Sequence, residues 1–261
     1  RVLASAGGAE VVLLHIDLRL RGRRTAASEK EVTGVMFSPD GKYLAAGGKD
    51  KTLRLWDWRS GKECRRWRLG REGAPFTFSR TGSTIFCQDS EIGEMDVATG
   101  KELRSFGAFG NAHLFTLSRD GKTLAVAEEA AIRVWDVASG KERPGPGPRQ
   151  SFVQCIAFSP DGRRLAWGEF EGLIHFWDLT TGKDLSNTDG HQSMVLSLAF
   201  SPDGKLLASG SRDPQVRVWD PATGKELRQL LPPGRCISSL AFAPHGRTLA
   251  SASLVGNTIL W

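Results

Sequence analysis

The sequence predicts an all-β protein built from repeated antiparallel sheets of about 40 residues each. Two turn motifs recur along the chain at nearly constant spacing, and the short segments between them alternate apolar and polar residues as half-buried strands do. No segment has a sustained helical period. Each unit is therefore predicted to be a meander of four antiparallel strands.

The first turn motif is Phe-Ser-Pro-Asp-Gly, which occurs three times in full and three times in degenerate form. Pro fixes φ at the second turn position, Asp hydrogen-bonds to nearby backbone, and Gly adopts the left-handed conformation that closes a hairpin. Successive copies are 41, 39, 41, 42 and 42 residues apart, measured between their closing glycines, Gly41, Gly82, Gly121, Gly162, Gly204 and Gly246.

The second turn motif follows a Trp-Asp pair and has the form Ser/Thr-Gly-Lys, with Gly again at a position that requires positive φ. It occurs five times. The Trp-Asp copies are Trp56-Asp57, Trp135-Asp136, Trp177-Asp178 and Trp219-Asp220, with degenerate copies at Ile16-Asp17 and Met95-Asp96 and a further Trp at Trp261.

These combined motifs resemble the WD-repeat β-propeller family over essentially the whole chain. The resemblance implies blades of four strands, a to d from the centre outward. Residues 1 to about 25 then supply strands b to d of one blade, five complete blades end near residue 231, and residues 236–261 supply strands a to c of a last blade. We expect seven blades in a single domain over residues 1–261 of a longer chain. The alternative is a slice of a longer array with its ring boundaries elsewhere.

Composition places few constraints on the partner. The net charge is +6, which permits an acidic partner without requiring one. The four cysteines have no CxxC spacing, so we expect free, mostly buried thiols, no metal site and a reducing, cytoplasmic compartment. No apolar run is long enough to cross a bilayer, and no motif indicates a cofactor.

One blade matches a buried hydrogen-bond network that the family often carries. Its residues are His191, Ser209, Asp213 and Trp219. Ser, His and Asp could also be taken as a nucleophilic triad. We favour the structural interpretation, because the repeat already explains each residue. We also expect this sixth blade to be better locked than blade three, where Met95 replaces Trp.

The resemblance also implies that partners dock on the top face, at residues that begin each a strand or precede the turn between strands b and c. The candidate partner-binding residues are Phe152, Gln154, Trp167, Phe170, Met194, Leu196, Arg212, Lys49 and His113, with related positions at Glu31, Cys236 and Leu254. Blades five and six combine aromatic, flexible apolar and guanidinium groups, which are enriched at interface hot spots. The alternative is that these side chains only plug the channel mouth.

A second candidate surface is a basic outer edge. Phosphate groups of nucleic acid or anionic lipid would suit it, although charge on an outer strand also prevents edge-to-edge aggregation. We favour the second explanation, because stacking aromatics are nearly absent there. The residues are Arg19, Arg21, Arg23 and Arg24 in blade one and Arg65, Arg66, Arg68 and Arg71 in blade two.

The segment Arg143 to Pro148 contains three prolines where the d strand of blade four should run. Proline cannot donate to a β-ladder, so we expect this strand to be short or absent.

Taken together, the sequence predicts a non-catalytic interaction scaffold, a monomeric ring whose partners are proteins or peptides. Nucleic-acid binding is the second alternative and a propeller enzyme the third.

Overall fold

The structure is a computed structural model that describes residues 2–7, 10–15, 23–26, 30–108, 112–128, 131–148, 151–186, 190–231, 236–254 and 256–261. The chain divides into two compact units, Arg1–Gly110 and Asn111–Trp261. The described residues form 26 strands in seven antiparallel sheets, five with four strands and two with three. These strands agree with the prediction of four-stranded meanders with a three-stranded sheet at each end of the given sequence.

Unit 1 holds three sheets, which we call blades one to three. In each blade every strand pairs with the next one along the chain. Blade one contains β1 (Val2–Gly7), β2 (Glu10–His15) and β3 (Arg23–Ala26). Blade two contains β4 (Val32–Phe37), β5 (Tyr43–Gly48), β6 (Thr52–Asp57) and β7 (Lys62–Arg68), and blade three contains β8 (Phe76–Phe78), β9 (Thr84–Gln88), β10 (Glu91–Asp96) and β11 (Glu102–Ala108).

Unit 2 holds blades four to seven with the same meander order. Blade four contains β12 (Leu114–Leu117), β13 (Thr123–Ala127), β14 (Ala131–Asp136) and β15 (Glu142–Pro148). Blade five contains β16 (Val153–Phe158), β17 (Arg164–Glu169), β18 (Ile174–Asp178) and β19 (Lys183–Asp184). Blade six contains β20 (Val195–Phe200), β21 (Leu207–Ser211), β22 (Val216–Asp220) and β23 (Lys225–Leu230), and blade seven contains β24 (Ile237–Phe242), β25 (Leu249–Ser253) and β26 (Thr258–Leu260).

The first turn motif closes each hairpin by side-chain hydrogen bonds. In blade two the Ser38 hydroxyl donates to Asp40 at 2.6 Å and accepts from the Tyr43 amide at 2.9 Å. Gly41 completes the turn with φ of 67°. The same serine-to-aspartate bond measures 2.6 Å in blades four, five and six, so the turn residues set the register of the first two strands wherever the motif keeps its serine and aspartate.

The apolar core lies between the faces of adjacent sheets within each unit. In unit 2, for example, Phe176 of blade five packs with Leu207 and Trp219 of blade six, and all three are almost fully buried. The close approach of neighbouring blades requires a glycine on the second strand. A Cβ on Gly210 would lie 2.6 Å from a methyl carbon of Ile237 in the next blade, closer than packed carbons approach.

The expectation of a short or missing d strand in blade four is wrong. β15 runs over seven residues and pairs with β14. The register jumps between Ile132 and Val134, so the pairing skips several residues of β15 and accommodates prolines that have no amide to donate. An outer edge strand tolerates this because only one of its sides is hydrogen-bonded.

Candidate functional site

The predicted top-face residues occur as pairs in which the end of strand b is tied to the residue before strand a. The Phe170 amide donates to the Phe152 carbonyl at 2.9 Å, and the Arg212 amide donates to the Met194 carbonyl at 3.1 Å. Equivalent backbone bonds join Lys49 to Glu31 at 2.8 Å and Leu254 to Cys236 at 3.1 Å. The repeat therefore places two neighbouring side chains at the same rim of each of these four blades.

The blade-five pair is aromatic and exposed. The exposed fractions of Phe152 and Phe170 are 41% and 52%. His113 of blade four stacks on the Phe152 ring with centroids 4.2 Å apart. We call Phe152, Phe170 and His113 the aromatic surface. Its rings are held in place by the backbone bond and the stacking contact, so a partner would meet a preorganised apolar face.

The blade-six pair neighbours the aromatic surface. A Cβ on Gly168 would lie 2.5 Å from Val195, and a Cβ on Gly172 would lie 2.8 Å from the Ser193 carbonyl. The turn that carries Phe170 therefore runs beside the segment that carries Met194. Met194 is half-buried and Arg212 exposed. The backbone segments that carry Met194 and Arg212 thus run beside the turn that carries Phe170, and the role of these two residues in binding stays a prediction.

Two further candidate residues lie at β-bulges. Gln154 and Leu196 are each the second residue of an a strand, and each is skipped in the pairing with strand b. Both are half-buried. A bulge turns a side chain away from the regular alternation, which places these residues at the rim rather than in the sheet interior.

Lys49, the candidate residue of blade two, is already paired within the chain. Its ammonium group lies 2.6 Å from the Glu31 carboxylate. The hydrogen bond and charge of Glu31 raise the pKa of Lys49 above its usual value. Any partner that uses Lys49 must therefore compete with Glu31.

The expectation that Trp167 contributes to the docking face is wrong, because its side chain is fully buried. Its indole donates to Glu169 at 3.2 Å and stacks on His175 with centroids 5.0 Å apart. His175 in turn lies 3.2 Å from the Glu169 carboxylate. Trp167 therefore belongs to an internal polar cluster of blade five. Sequence reasoning missed Glu169 and His175, although their alternation with Trp167 on paired strands was visible.

His191, Ser209, Asp213 and Trp219 form a continuous hydrogen-bond chain in blade six. The Trp219 indole donates to the Ser209 hydroxyl at 2.8 Å, the hydroxyl lies 2.7 Å from His191 Nε2, and His191 Nδ1 lies 2.9 Å from Asp213. Since the carboxylate can only accept, His191 Nδ1 carries a proton and donates it to Asp213. Every donor in this network therefore meets an acceptor.

Burial and electrostatics make this network structural. Ser209 and the His191 side chain have no exposed surface, so a substrate cannot reach the hydroxyl. Burial alone would raise the pKa of Asp213, but hydrogen bonds from His191 and from the Gln192 and Gln215 amides outweigh it and leave that pKa below its usual value. The carboxylate therefore stays charged and holds the loop before β20 against the turn after β21.

The structure supports the predicted basic edge only in part. Arg66 forms a two-point ion pair with Glu63 at 2.8 and 3.1 Å, and Arg65 donates to a neighbouring carbonyl at 2.7 Å. Arg68 and Arg71 are exposed. In blade one, Arg23 and Arg24 lie on β3, of which only the backbone is described, and Arg19 and Arg21 lie outside the described residues.

The cysteines are free, but fewer are buried than expected, since Cys87 is buried and Cys64, Cys155 and Cys236 are half-buried. Burial raises the pKa of Cys87 and of Cys155 to about 12, so both remain thiols.

In the described segments no three His, Cys, Asp or Glu side chains come close enough together to hold a metal. The same segments contain no helix with the length and apolar character to cross a bilayer.

The chain matches the sequence family described as WD domain, G-beta repeat, at residues 21–57, 144–178 and 182–220. It is 29% identical over 157 residues to nuclear distribution protein nudF of Aspergillus niger, covering 56% of this chain and 35% of that protein. It is 28% identical to a component of chromatin assembly factor 1 of Gallus gallus, covering 54% and 22%.

A third relative is the pre-mRNA-splicing factor cwf17 of Schizosaccharomyces pombe, 28% identical over 60% of this chain and 48% of its own length. The matched part of the chain thus spans less than half of each of these three relatives. Their similarity, the three matched repeats and the repeated four-stranded blades agree with one another. The chain therefore carries WD repeats.

Proposed function

We propose that the chain is a non-catalytic interaction domain that binds a protein or peptide at the aromatic surface. The observation that carries this proposal is the exposure of Phe152 and Phe170, 41% and 52%, at two positions tied together by a backbone hydrogen bond. Large apolar groups held at the surface lose little conformational freedom when a partner covers them. Aromatic and arginine side chains also dominate the binding energy of protein interfaces.

The relatives support an interaction role. One is by name a component of chromatin assembly factor 1, and another is a pre-mRNA-splicing factor. These names describe components of larger assemblies rather than single reactions. The burial of Ser209 and His191 supports the non-catalytic part of the proposal, because the most enzyme-like residue set in the described part of the chain is closed to substrate.

The basic edge is the weaker candidate. Arg65 and Arg66 already make contacts within the chain, and a phosphate ligand would have to displace Glu63 from Arg66. A nucleic acid bound there would also find little to stack on, because the indole of Trp67 is buried. Binding through this edge would depend steeply on salt concentration.

The experiment compares three chains in affinity capture from the source cell with nuclease present. They are the natural chain, the Phe152→Ala/Phe170→Ala double variant, and a Leu227→Ala/Leu231→Ala control that removes two other exposed apolar side chains, 51% and 70% exposed. We expect a protein that the natural and control chains retain and the Phe variant loses. With that protein purified, the Phe variant should bind about thirtyfold more weakly, as when two interface residues each contribute about 1 kcal/mol.

Two outcomes contradict the proposal. Equal affinity of the natural chain and the Phe variant for the captured protein would remove the aromatic surface from the interface. The basic edge would be favoured instead if the chain, without nuclease, recovered nucleic acid alone. That recovery should then be lost at high salt and on changing four arginines to Gln, namely Arg65, Arg66, Arg68 and Arg71.

A further inference from the structure

Three blades contain a repeated ion pair between their third and fourth strands. An arginine two residues before the tryptophan on the third strand faces a glutamate on the fourth, and that glutamate pairs in register with the tryptophan. The nitrogen–oxygen distances are 4.0 Å for Arg54 and Glu63 in blade two, 3.7 Å for Arg133 and Glu142 in blade four, and 2.8 Å for Arg217 and Glu226 in blade six.

Blade three keeps the glutamate and lacks the arginine. Glu102 pairs in register with Met95, as the other glutamates do with their tryptophans, and Gly93 occupies the arginine position. A Cβ on Gly93 would lie 3.7 Å from a Glu102 carboxylate oxygen. The carboxylate therefore faces the place where an arginine stem would begin. Among the residues that the structure describes, no cation forms an ion pair with Glu102.

A cavity of about 260 Å³ occupies this position between blades two and three. It exists because Gly93 and Met95, on the same face of β10, replace the larger arginine and tryptophan of blades two, four and six. Its walls combine apolar and acidic groups, Trp67, Cys87, Met95, Asp89, Glu91 and Glu102. This volume holds several water molecules and is large enough for a planar guanidinium group.

The electrostatics of the cavity favour a cation. Burial first, and then the charges of Asp89 and Glu102, raise the pKa of the Cys87 thiol to about 12. The field of these carboxylates therefore reaches the cavity wall. Three carboxylates line the cavity against one cation, Arg68, so its net charge is negative. The Trp67 ring adds a wall that attracts a guanidinium plane.

We propose that this blade-three cavity binds an arginine side chain of a partner protein or peptide, with Glu102 as the carboxylate that receives the guanidinium. The incoming group takes the place that Arg54, Arg133 and Arg217 fill within their own blades. Guanidinium and carboxylate pair through two parallel hydrogen bonds, which distinguishes arginine from lysine. The site does not depend on the proposed function of the aromatic surface, because the two share no residue.

The test titrates the chain with the peptide acetyl-Gly-Gly-Arg-Gly-Gly-amide and follows backbone amide signals by NMR. We expect saturable shifts at Gly93 and Met95. Replacing the arginine by citrulline, which has the same shape without the charge, should weaken binding about tenfold, the effect of losing one charge-assisted hydrogen bond. Glu102→Gln should weaken it to a similar extent.

Two variants control for position and folding. Glu142→Gln removes the equivalent carboxylate of blade four, which already has its own arginine, and should leave peptide affinity unchanged. Gly93→Arg should abolish binding by filling the cavity.

The proposal is overturned if the folded chain shows no shift at blade three, or if the citrulline peptide binds as tightly as the arginine peptide. Equal losses from Glu102→Gln and Glu142→Gln would indicate unspecific attraction to acidic groups. Binding that appears only in Arg68→Gln would show that the chain fills the cavity with its own arginine, which also contradicts a partner site.

Discussion

Blades six and three show how differently two copies of one repeat can be built inside. Both are four-stranded meanders with the same pairing order. Blade six holds the buried network of His191 and Asp213 and an internal pair between Arg217 and Glu226. Blade three has Gly93 at the arginine position and an open cavity beside it. The two blades therefore share their strand pairing but differ in the polar residues between their strands, and blade three has a cavity beside Gly93.

The largest expected effect is in blade six. Asp213→Ala leaves His191 buried without its carboxylate and should cost about 3 kcal/mol of unfolding free energy, as when one partner of a buried pair is removed. Native-state hydrogen exchange of β20 to β22 measures the loss. The control is Glu171→Ala, the exposed residue at the same position of blade five, with an expected cost of less than about 0.5 kcal/mol. Equal costs for the two variants would show that the network does not lock the blade.

Arg217→Gly gives blade six the residue that blade three has at this position. We expect a cost of about 2 kcal/mol, half from the lost ion pair with Glu226 and half from a glycine within a strand. Arg228→Gly, an exposed change on β23, isolates the glycine contribution of about 1 kcal/mol. Urea unfolding of both variants checks the difference. If they are equally stable, the ion pair contributes nothing.

Gly93→Arg makes the opposite change and gives blade three the residue of blade six. We expect the unfolding free energy to rise by about 1 kcal/mol, mostly from replacing a strand glycine, because the exposed Glu102 makes only a weak pair. Gly93→Ala supplies the comparison without the charge. An arginine variant less stable than the alanine variant would show that the cavity cannot accept the side chain.

The repeat was predictable because its turns are local. Each Ser-Pro-Asp-Gly and Asp-x-x-Thr-Gly turn is determined by residues a few positions apart, so the four-stranded units followed from the turns, and their layout from the resemblance to WD-repeat proteins. The resemblance also implied the four network residues of blade six, since each matches a fixed place in the family's repeat. The two corrections arose where a residue departs from its repeat.

Trp167 occupies the position in blade five that Ser209 occupies in blade six, where the side chain points into the blade. The position of Trp167 in the repeat was therefore a better guide to its burial than its residue type. The prolines of β15 fit into a paired strand because its pairing with β14 skips residues. This skipping depends on the register of the two strands and not on their composition. To predict the blade-three cavity from the sequence, one must know that Gly93, Met95 and Glu102 share one face. The sequence contained that signal as a glycine where blades two, four and six have arginine.

The smallest effect is a pH dependence that separates the charge of Asp213 from its shape. Asp213→Asn keeps the size of the side chain and removes the carboxylate. The pKa of Asp213 is lowered in the folded chain, so its contribution is complete above the unfolded-state pKa of about 4 and is lost as the pH falls through the folded-state value. The stability difference between the natural chain and Asp213→Asn should therefore shrink as the pH falls below about 4. The turn aspartates, several of which also have lowered pKa values, titrate equally in both chains and cancel. Urea midpoints at a series of pH values measure the difference, and a difference that stays constant down to acid pH would show that shape alone, and not charge, makes Asp213 important.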